Sequence, residues 1–255
     1  MTIAILSALP QEQQGLAQAL TQPRTVVHAG RSFTLGTLCG QSVVLALSGI
    51  GKVAAATTTA ALIERFGAQQ VLFTGVAGGV GAGVQVGDVV VAQHFVQHDM
   101  DVRPLFARWQ VPGYAAPTFA CDAVMTQRLQ VAAQDCVHAT STWNEPMLHG
   151  LQPQAHSGLI ASGDQFIVSA MASHAITSDL HTAGFIPLAV EMEGGAIAQA
   201  CADYQVPFAA VRTISDRADD SAHVDFPAFV SAVASRYAQH IVLQWLKATS
   251  PQKTQ

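Results

Sequence analysis

The sequence predicts an α/β protein built on a mixed or parallel sheet with helices on both faces. Its candidate strands, such as Ile3-Ala4-Ile5-Leu6, Val71-Leu72-Phe73 and Phe208-Ala209-Ala210-Val211, are continuous apolar runs, the pattern of strands buried on both sides. They alternate along the chain with helix-type segments. Of the 255 residues, 50% are hydrophobic and 11% charged, so a sizeable core can be buried. One domain is expected over residues 1–247, followed by a polar tail at 248–255.

Taken in order, Thr2 to Ala8 is the first strand, and Pro10 suits the first position of a helix running to about Leu20. Val26 to His28, Phe33 to Leu38 and Ser42 to Leu47 are short strands separated by Gly30 and Cys39-Gly40, an antiparallel meander. Ser48-Gly49-Ile50-Gly51 turns the chain into a helix from about Val53 to Phe66, stopped by Gly67. Val71 to Thr74 is a core strand. The small residues Gly75-Val76-Ala77-Gly78-Gly79 then read as a loop whose backbone can approach a ligand or as a packing turn, with neither GxGxxG nor P-loop spacing. Val89 to Gln97 is a strand and Asp122 to Val137 a helix; the polar, aperiodic stretch from His138 to His156 reads as an insertion or mobile loop. Ser157 to Ser162, Pro187 to Glu191 and Phe208 to Ser215 are further strands. Helices are expected over Ala170 to Ala183, Met192 to Tyr204 and, amphipathic, about Pro227 to Lys247.

A net charge of −5 without a Lys/Arg cluster argues against a nucleic-acid surface and for a small neutral or acidic metabolite as partner. No apolar run reaches the roughly 18 residues of a membrane span, and the chain enters its first strand without a leader-type segment. The scattered cysteines 39, 121, 136 and 201 lack CxxC spacing and read as reduced thiols, which fits a cytoplasmic location. His94 and His98 would lie ~13 Å apart on one strand, too far to share an ion, so neither metal nor cofactor is expected. So little charge also suggests that part of the surface is covered by another subunit.

Three segments break this apolar pattern with acids. Val190-Glu191-Met192-Glu193-Gly194-Gly195 is a strand-to-helix junction, where α/β proteins build ligand sites. Either glutamate alone would serve equally as a helix N-terminal charge. Arg212-Thr213-Ile214-Ser215-Asp216 closes another buried strand, and Ala8-Leu9-Pro10-Gln11-Glu12 follows the first. Three strand ends thus deliver Glu12, Glu193 and Asp216.

These segments, with Ser48-Gly49-Ile50-Gly51-Lys52-Val53, Thr74-Gly75-Val76-Ala77-Gly78-Gly79, Val86-Gly87-Asp88-Val89-Val90 and Ser162-Gly163-Asp164-Gln165-Phe166, resemble in order the motifs of the 5′-methylthioadenosine/S-adenosylhomocysteine nucleosidases, within the purine nucleoside phosphorylase superfamily. The resemblance runs from residue 1 to about 247. It implies a three-layer αβα sandwich around a central, partly closed, twisted mixed sheet, and hydrolysis of an N-glycosidic bond to release adenine. It further implies that Asp216, oriented by Ser215, protonates or hydrogen-bonds adenine N7, that Glu193 holds the ribose hydroxyls over Met192, and that Glu12 is the base on water with Arg212 positioning water and carboxylates. Phe166 would stack on the purine, the Ile167 backbone would read its edge, and the Ala77-Gly78 backbone would approach the ligand. Leu9, Ile50 and Phe226 would take the 5′-alkylthio group. Val102, Leu105 and Pro112 would close the pocket of a partner subunit in a homodimer. Arg212 alone would equally be a buried structural ion pair, and each apolar residue alone ordinary core.

The sequence departs from the pattern at Val76, where the family usually carries Ser; at Gly195, in a helix start where Ala or Thr is commoner; and in the long 138–156 connector. The rival readings are a phosphorylase of the same superfamily, an aminofutalosine-type hydrolase, and a non-catalytic nucleoside-binding protein. Water suits a Glu beside the nucleophile and phosphate does not, and all three acids are present, which favours the hydrolase.

Overall fold

The computed structural model describes residues 1–143, 145–220 and 222–249. Its strands are β1 (Thr2–Ser7), β2 (Thr21–His28), β3 (Arg31–Leu38), β4 (Gln41–Leu47), β5 (Ala68–Gly79), β6 (Val89–Gln97), β7 (Thr118–Ala120), β8 (Ala155–Ser162), β9 (Pro187–Glu191) and β10 (Phe208–Asp216). Its helices are α1 (Pro10–Ala19), α2 (Lys52–Glu64), α3 (Ala123–Thr140), α4 (Ala170–Thr182), α5 (Gly194–Tyr204), α6 (Ala222–Phe229) and α7 (Ser235–Thr249).

All ten strands join one mixed sheet in the order β10-β6-β8-β9-β5-β1-β4-β3-β2, with β7 paired to β6. Because β10 also pairs with β5, the strands β5, β10, β6, β8 and β9 close into a ring, while β1 to β4 extend from it as an open wing. Parallel pairs (β1 with β4 and β5, β10 with β5, β8 with β6 and β9) alternate with antiparallel ones, including the expected meander β2-β3-β4.

The continuous apolar runs follow from this architecture. On β1, Ile3 and Ile5 pack with Leu16 of α1, Leu129 of α3 and Trp245 of α7, whereas Ala4 and Leu6 pack with Leu62 of α2 and Ile197 of α5. Both faces are covered, so alternation disappears. Burying each large side chain contributes roughly 1.5–3 kcal/mol.

Four expectations change. Gly75 to Gly79 is not a loop but the second half of β5: Gly75, Val76 and Ala77 pair with Arg212, Thr213 and Ile214, and Gly78 with both Asp216 and Val190. Glycine's weak strand preference hid this. The C-terminal helix is not continuous. Pro227 lies inside α6, where it removes a ladder donor, and a π turn at Val230–Ala234 precedes α7. α7 also reaches Thr249, beyond the expected start of the tail, whose residues 250–255 lie outside the described ones. The 138–156 connector is largely exposed but anchored at several points. α3 extends into it to Thr140, Trp143 meets Tyr237 edge-on at 5.3 Å with Arg236 over its ring at 4.2 Å, and Leu148 is buried in a 3-10 turn at Pro146–Leu148. Finally β7, only three residues long, carries too little pattern to be read beforehand.

Candidate active site

The carboxyl ends of β1, β5, β9 and β10 converge on a cavity of about 290 Å³. Glu12, Glu193, Asp216, Met192, Ala77, Gly78, Leu9, Ile50, Phe166 and Phe226, all candidates from the sequence, line it together. So do Ala8, Val76, Val190 and Glu191, which had no assigned role there. Ile167 borders a smaller recess that shares Phe166, Met192 and Asp216 with the cavity. Ser215 and Arg212 stand behind the wall, fully buried. Val102, Leu105 and Pro112 do not line this chain's cavity: Leu105 is 82% exposed, Pro112 is exposed and Val102 half-buried.

Glu12 is in the first turn of α1, yet it faces inward and is 2% exposed. Its Oε2 accepts the N–H groups of Ala8 (2.9 Å) and Leu9 (2.8 Å), and Oε1 accepts that of Val76 (3.0 Å). A carboxylate has about four acceptor positions, so one remains for a further donor. Burial pushes its pKa up; the nearby Arg212 charge and the N–H groups of Leu9, Val76 and Ala8 oppose this without cancelling it. Proline at the first helical position costs no hydrogen bond and sets the turn that points Glu12 back over β1.

The two glutamates after β9 have separate tasks. Glu191 is the helix charge: it accepts the N–H groups of Glu193 (3.1 Å) and Gly194 (2.8 Å), the Ser162 hydroxyl and Arg212 Nη2. Ser162 Oγ in turn accepts the Gly195 N–H at 2.6 Å. Glu193 precedes α5 and faces the cavity, with Oε1 held by the Gly51 N–H at 2.9 Å and Oε2 lying 3.4 Å from Arg212 Nη2. Burial, then the Glu191 charge, raises the Glu193 pKa to about 8 against the pull of Arg212. Sequence pattern could not divide the pair, because both sit at one junction and only the chain's turn decides which carboxylate meets the helix N–H groups.

Arg212 lies in mid-β10 with its guanidinium 3.5 Å from the centroid of the Phe73 ring. It is therefore a structural ion-pair partner of Glu191 as well as a neighbour of the site. Its Nε and Nη1 have no hydrogen-bond partner among the described residues. A Cβ on Gly75 would stand 2.3 Å from Arg212 Nη1 and 2.5 Å from Glu12 Oε1, so glycine is what lets these two groups approach each other. Gly195 also has an explanation: a Cβ there would meet Ser162 Cβ at 2.9 Å, and at Gly194 it would meet the Phe95 ring at 2.2 Å. The helix start gives up propensity to pack its backbone against β6 and β8.

Asp216 closes β10. Its Oδ1 accepts the Ala218 N–H and its Oδ2 the Ser215 hydroxyl, both at 2.8 Å. Phe166, 46% exposed, faces Phe226 edge-on at 5.3 Å across the mouth, which leaves a ring face for a planar ligand. The cavity thus combines a carboxyl (Asp216) and an aromatic platform (Phe166) with Glu193 over Met192 and with Glu12 beside Val76. Such a site can hold a flat heterocycle, a polyol and a water. Among the described residues no group of three or more His, Cys, Asp or Glu side chains is arranged to hold a metal ion.

This closed-ring αβα architecture, with its acids at the strand ends, is that of the Phosphorylase superfamily, whose family model matches residues 2–247. The chain is 36% identical over 243 residues, 95% of its length and 97% of the relative's, to the 5′-methylthioadenosine/S-adenosylhomocysteine nucleosidase of Bacillus anthracis. It belongs to that nucleosidase family. Among solved structures, the Neisseria meningitidis nucleosidase in complex with methylthio-immucillin-A is similar with a TM-score of 0.84 and 35% identity, covering 97% of this chain and 99% of that one. The futalosine hydrolase of Helicobacter pylori gives a TM-score of 0.81 and 29% identity over 96% of this chain and 97% of that one.

Proposed function

We propose that the chain hydrolyses the N-glycosidic bond of 5′-methylthioadenosine and S-adenosylhomocysteine, releasing adenine and the 5-thio-substituted ribose. The carrying observation is Glu12: a buried carboxylate with three of its acceptor positions filled and a raised pKa, beside a buried Arg212 nitrogen that has no protein partner among the described residues. That pair suits a water molecule, which would donate to Glu12 and accept from Arg212.

In the proposed reaction the C1′–N9 bond breaks first, its electrons passing into adenine, where Asp216 supplies the proton at N7 while Ser215 holds its Oδ2. The ribosyl cation that develops lies over Met192, its hydroxyls on Glu193. Water adds to C1′ and gives its proton to Glu12. Leu9, Ile50 and Phe226 form the apolar end for the 5′-thio substituent. Phosphate is disfavoured as nucleophile: among the described residues neither lysine nor arginine lines the cavity, the Glu12 carboxylate would repel a dianion, and Val76 offers a side chain without a hydroxyl.

Adenine release from methylthioadenosine without phosphate, with the sugar product identified, tests this. Free methylthioribose is expected; 5-methylthioribose 1-phosphate as main product, or a rate proportional to phosphate, would establish a phosphorylase. The likeness to the futalosine hydrolase supports a second reading, so aminofutalosine belongs in the same assay. We further propose a cytoplasmic homodimer, supported by the exposed Leu105 and Pro112, which serve no purpose in their own cavity. Sedimentation showing a fully active monomer would refute it.

A further inference from the structure

Lys52 lies outside the cavity, yet its ammonium group is largely shielded and closes a cycle of hydrogen bonds among three segments, the start of α2, the end of β6 with the turn after it, and the turn after β8. Lys52 Nζ donates to Asp99 Oδ1 at 2.6 Å and to Gln97 Oε1 at 3.2 Å. Asp99 Oδ2 accepts the Asp164 N–H at 3.0 Å, and Asp164 Oδ1 accepts the Lys52 N–H at 2.7 Å. Gly51, at φ 98°, brings the backbone close: a Cβ there would stand 3.1 Å from Asp164 Oδ1. The Gln97 amide donates to Gln199 of α5 at 2.8 Å, which extends the cycle to the helix that Glu193 precedes.

Two of the three segments carry a wall of the site. Ile50 lines the cavity and Gly51 N–H holds Glu193, two residues and one residue before Lys52 respectively. Phe166, the aromatic platform, follows Asp164 by two residues. We infer that Lys52, acting through Asp99, is a positioning residue that locks the sugar-side wall of the pocket (Ile50, Gly51, Glu193) to its base-side wall (Asp164 to Phe166). The assignment of the two walls rests on the proposed function. Without the clasp both loops must be ordered by the ligand, and that cost falls on binding rather than on the bond-breaking step.

The test compares Lys52→Met, Lys52→Arg and Asp99→Asn in the full chain by calorimetric binding of adenine and by kcat and KM on methylthioadenosine. Lys52→Met should raise the adenine Kd and the KM about tenfold while kcat falls less than threefold, and Lys52→Arg, which can still reach Asp99, should restore both to within about threefold. Adenine Kd unchanged within twofold in folded Lys52→Met, or equal losses in the Met and Arg variants, would overturn the inference. Should Lys52→Met fail to fold, Asp99→Asn decides: a raised Kd supports the clasp and an unchanged one refutes it. Adenine binding needs no turnover, so a wild-type chain that binds adenine but does not hydrolyse methylthioadenosine would refute the proposed reaction and leave the clasp testable.

Discussion

Replacing Gly75 with alanine would place a methyl group 2.3 Å from Arg212 Nη1 and 2.5 Å from Glu12 Oε1. Ordinary contact needs about 3.5 Å, so each group must retreat by about 1 Å. Neither has slack, since Glu12 is fixed by three N–H groups and Arg212 by Glu191 and the Phe73 ring. Gly75 is not among the positive-φ glycines, so the backbone itself tolerates alanine. Misplacing a catalytic group by about 1 Å costs roughly 100-fold in rate, or about 2.7 kcal/mol of barrier. Overpacking adds about 1–3 kcal/mol of destabilisation. The assay is kcat for adenine release beside the adenine Kd: kcat should fall about 100-fold while Kd stays within threefold, because Asp216 and Phe166 lie outside the clash. Glu12→Gln, which keeps the size and removes the base, should lose at least as much. A folded Gly75→Ala variant with kcat within fivefold of wild type would refute the claim that Glu12 and Arg212 act together at this point.

Two further outcomes follow from the other acids. Asp216→Asn should slow methylthioadenosine cleavage by 100-fold or more but spare a nitrophenyl riboside, whose leaving group needs no proton; equal losses on both would make Asp216 structural. Glu193 titrates near 8 when folded against 4.5 for a free glutamate, so between those values the folded chain holds a proton that the unfolded chain has lost. Stability of the ligand-free protein should therefore fall as pH rises from about 5 to 8, by at most ~1.4 kcal/mol per unit. The raised pKa of Glu12 acts in the same direction. Denaturation midpoints of Glu193→Gln should show a shallower slope, and parallel pH profiles for variant and wild type would remove Glu193 as the cause.

The sequence alone determined the buried character of the strands, the alternation with helices, and the three acids at strand ends, because burial on two faces and isolated carboxylates both leave marks in local pattern. It also carried the ordered motifs that place the chain in its family. What it could not determine was every feature that depends on two distant segments meeting. Gly75 to Gly79 looks like a loop until β10 is laid beside it, when the missing side chains become the space that Arg212, Glu12 and Asp216 occupy. Gly195 looks like a flaw in a helix start until Ser162 and Gln97 are seen against its backbone. Glu191 and Glu193 have equal claims in sequence, and only the turn into α5 gives one to the helix N–H groups and the other to the cavity. Local propensity reports the cost of a residue within its own segment; its purpose here lies in contacts made across the sheet, and those exist only once the ring of strands has closed.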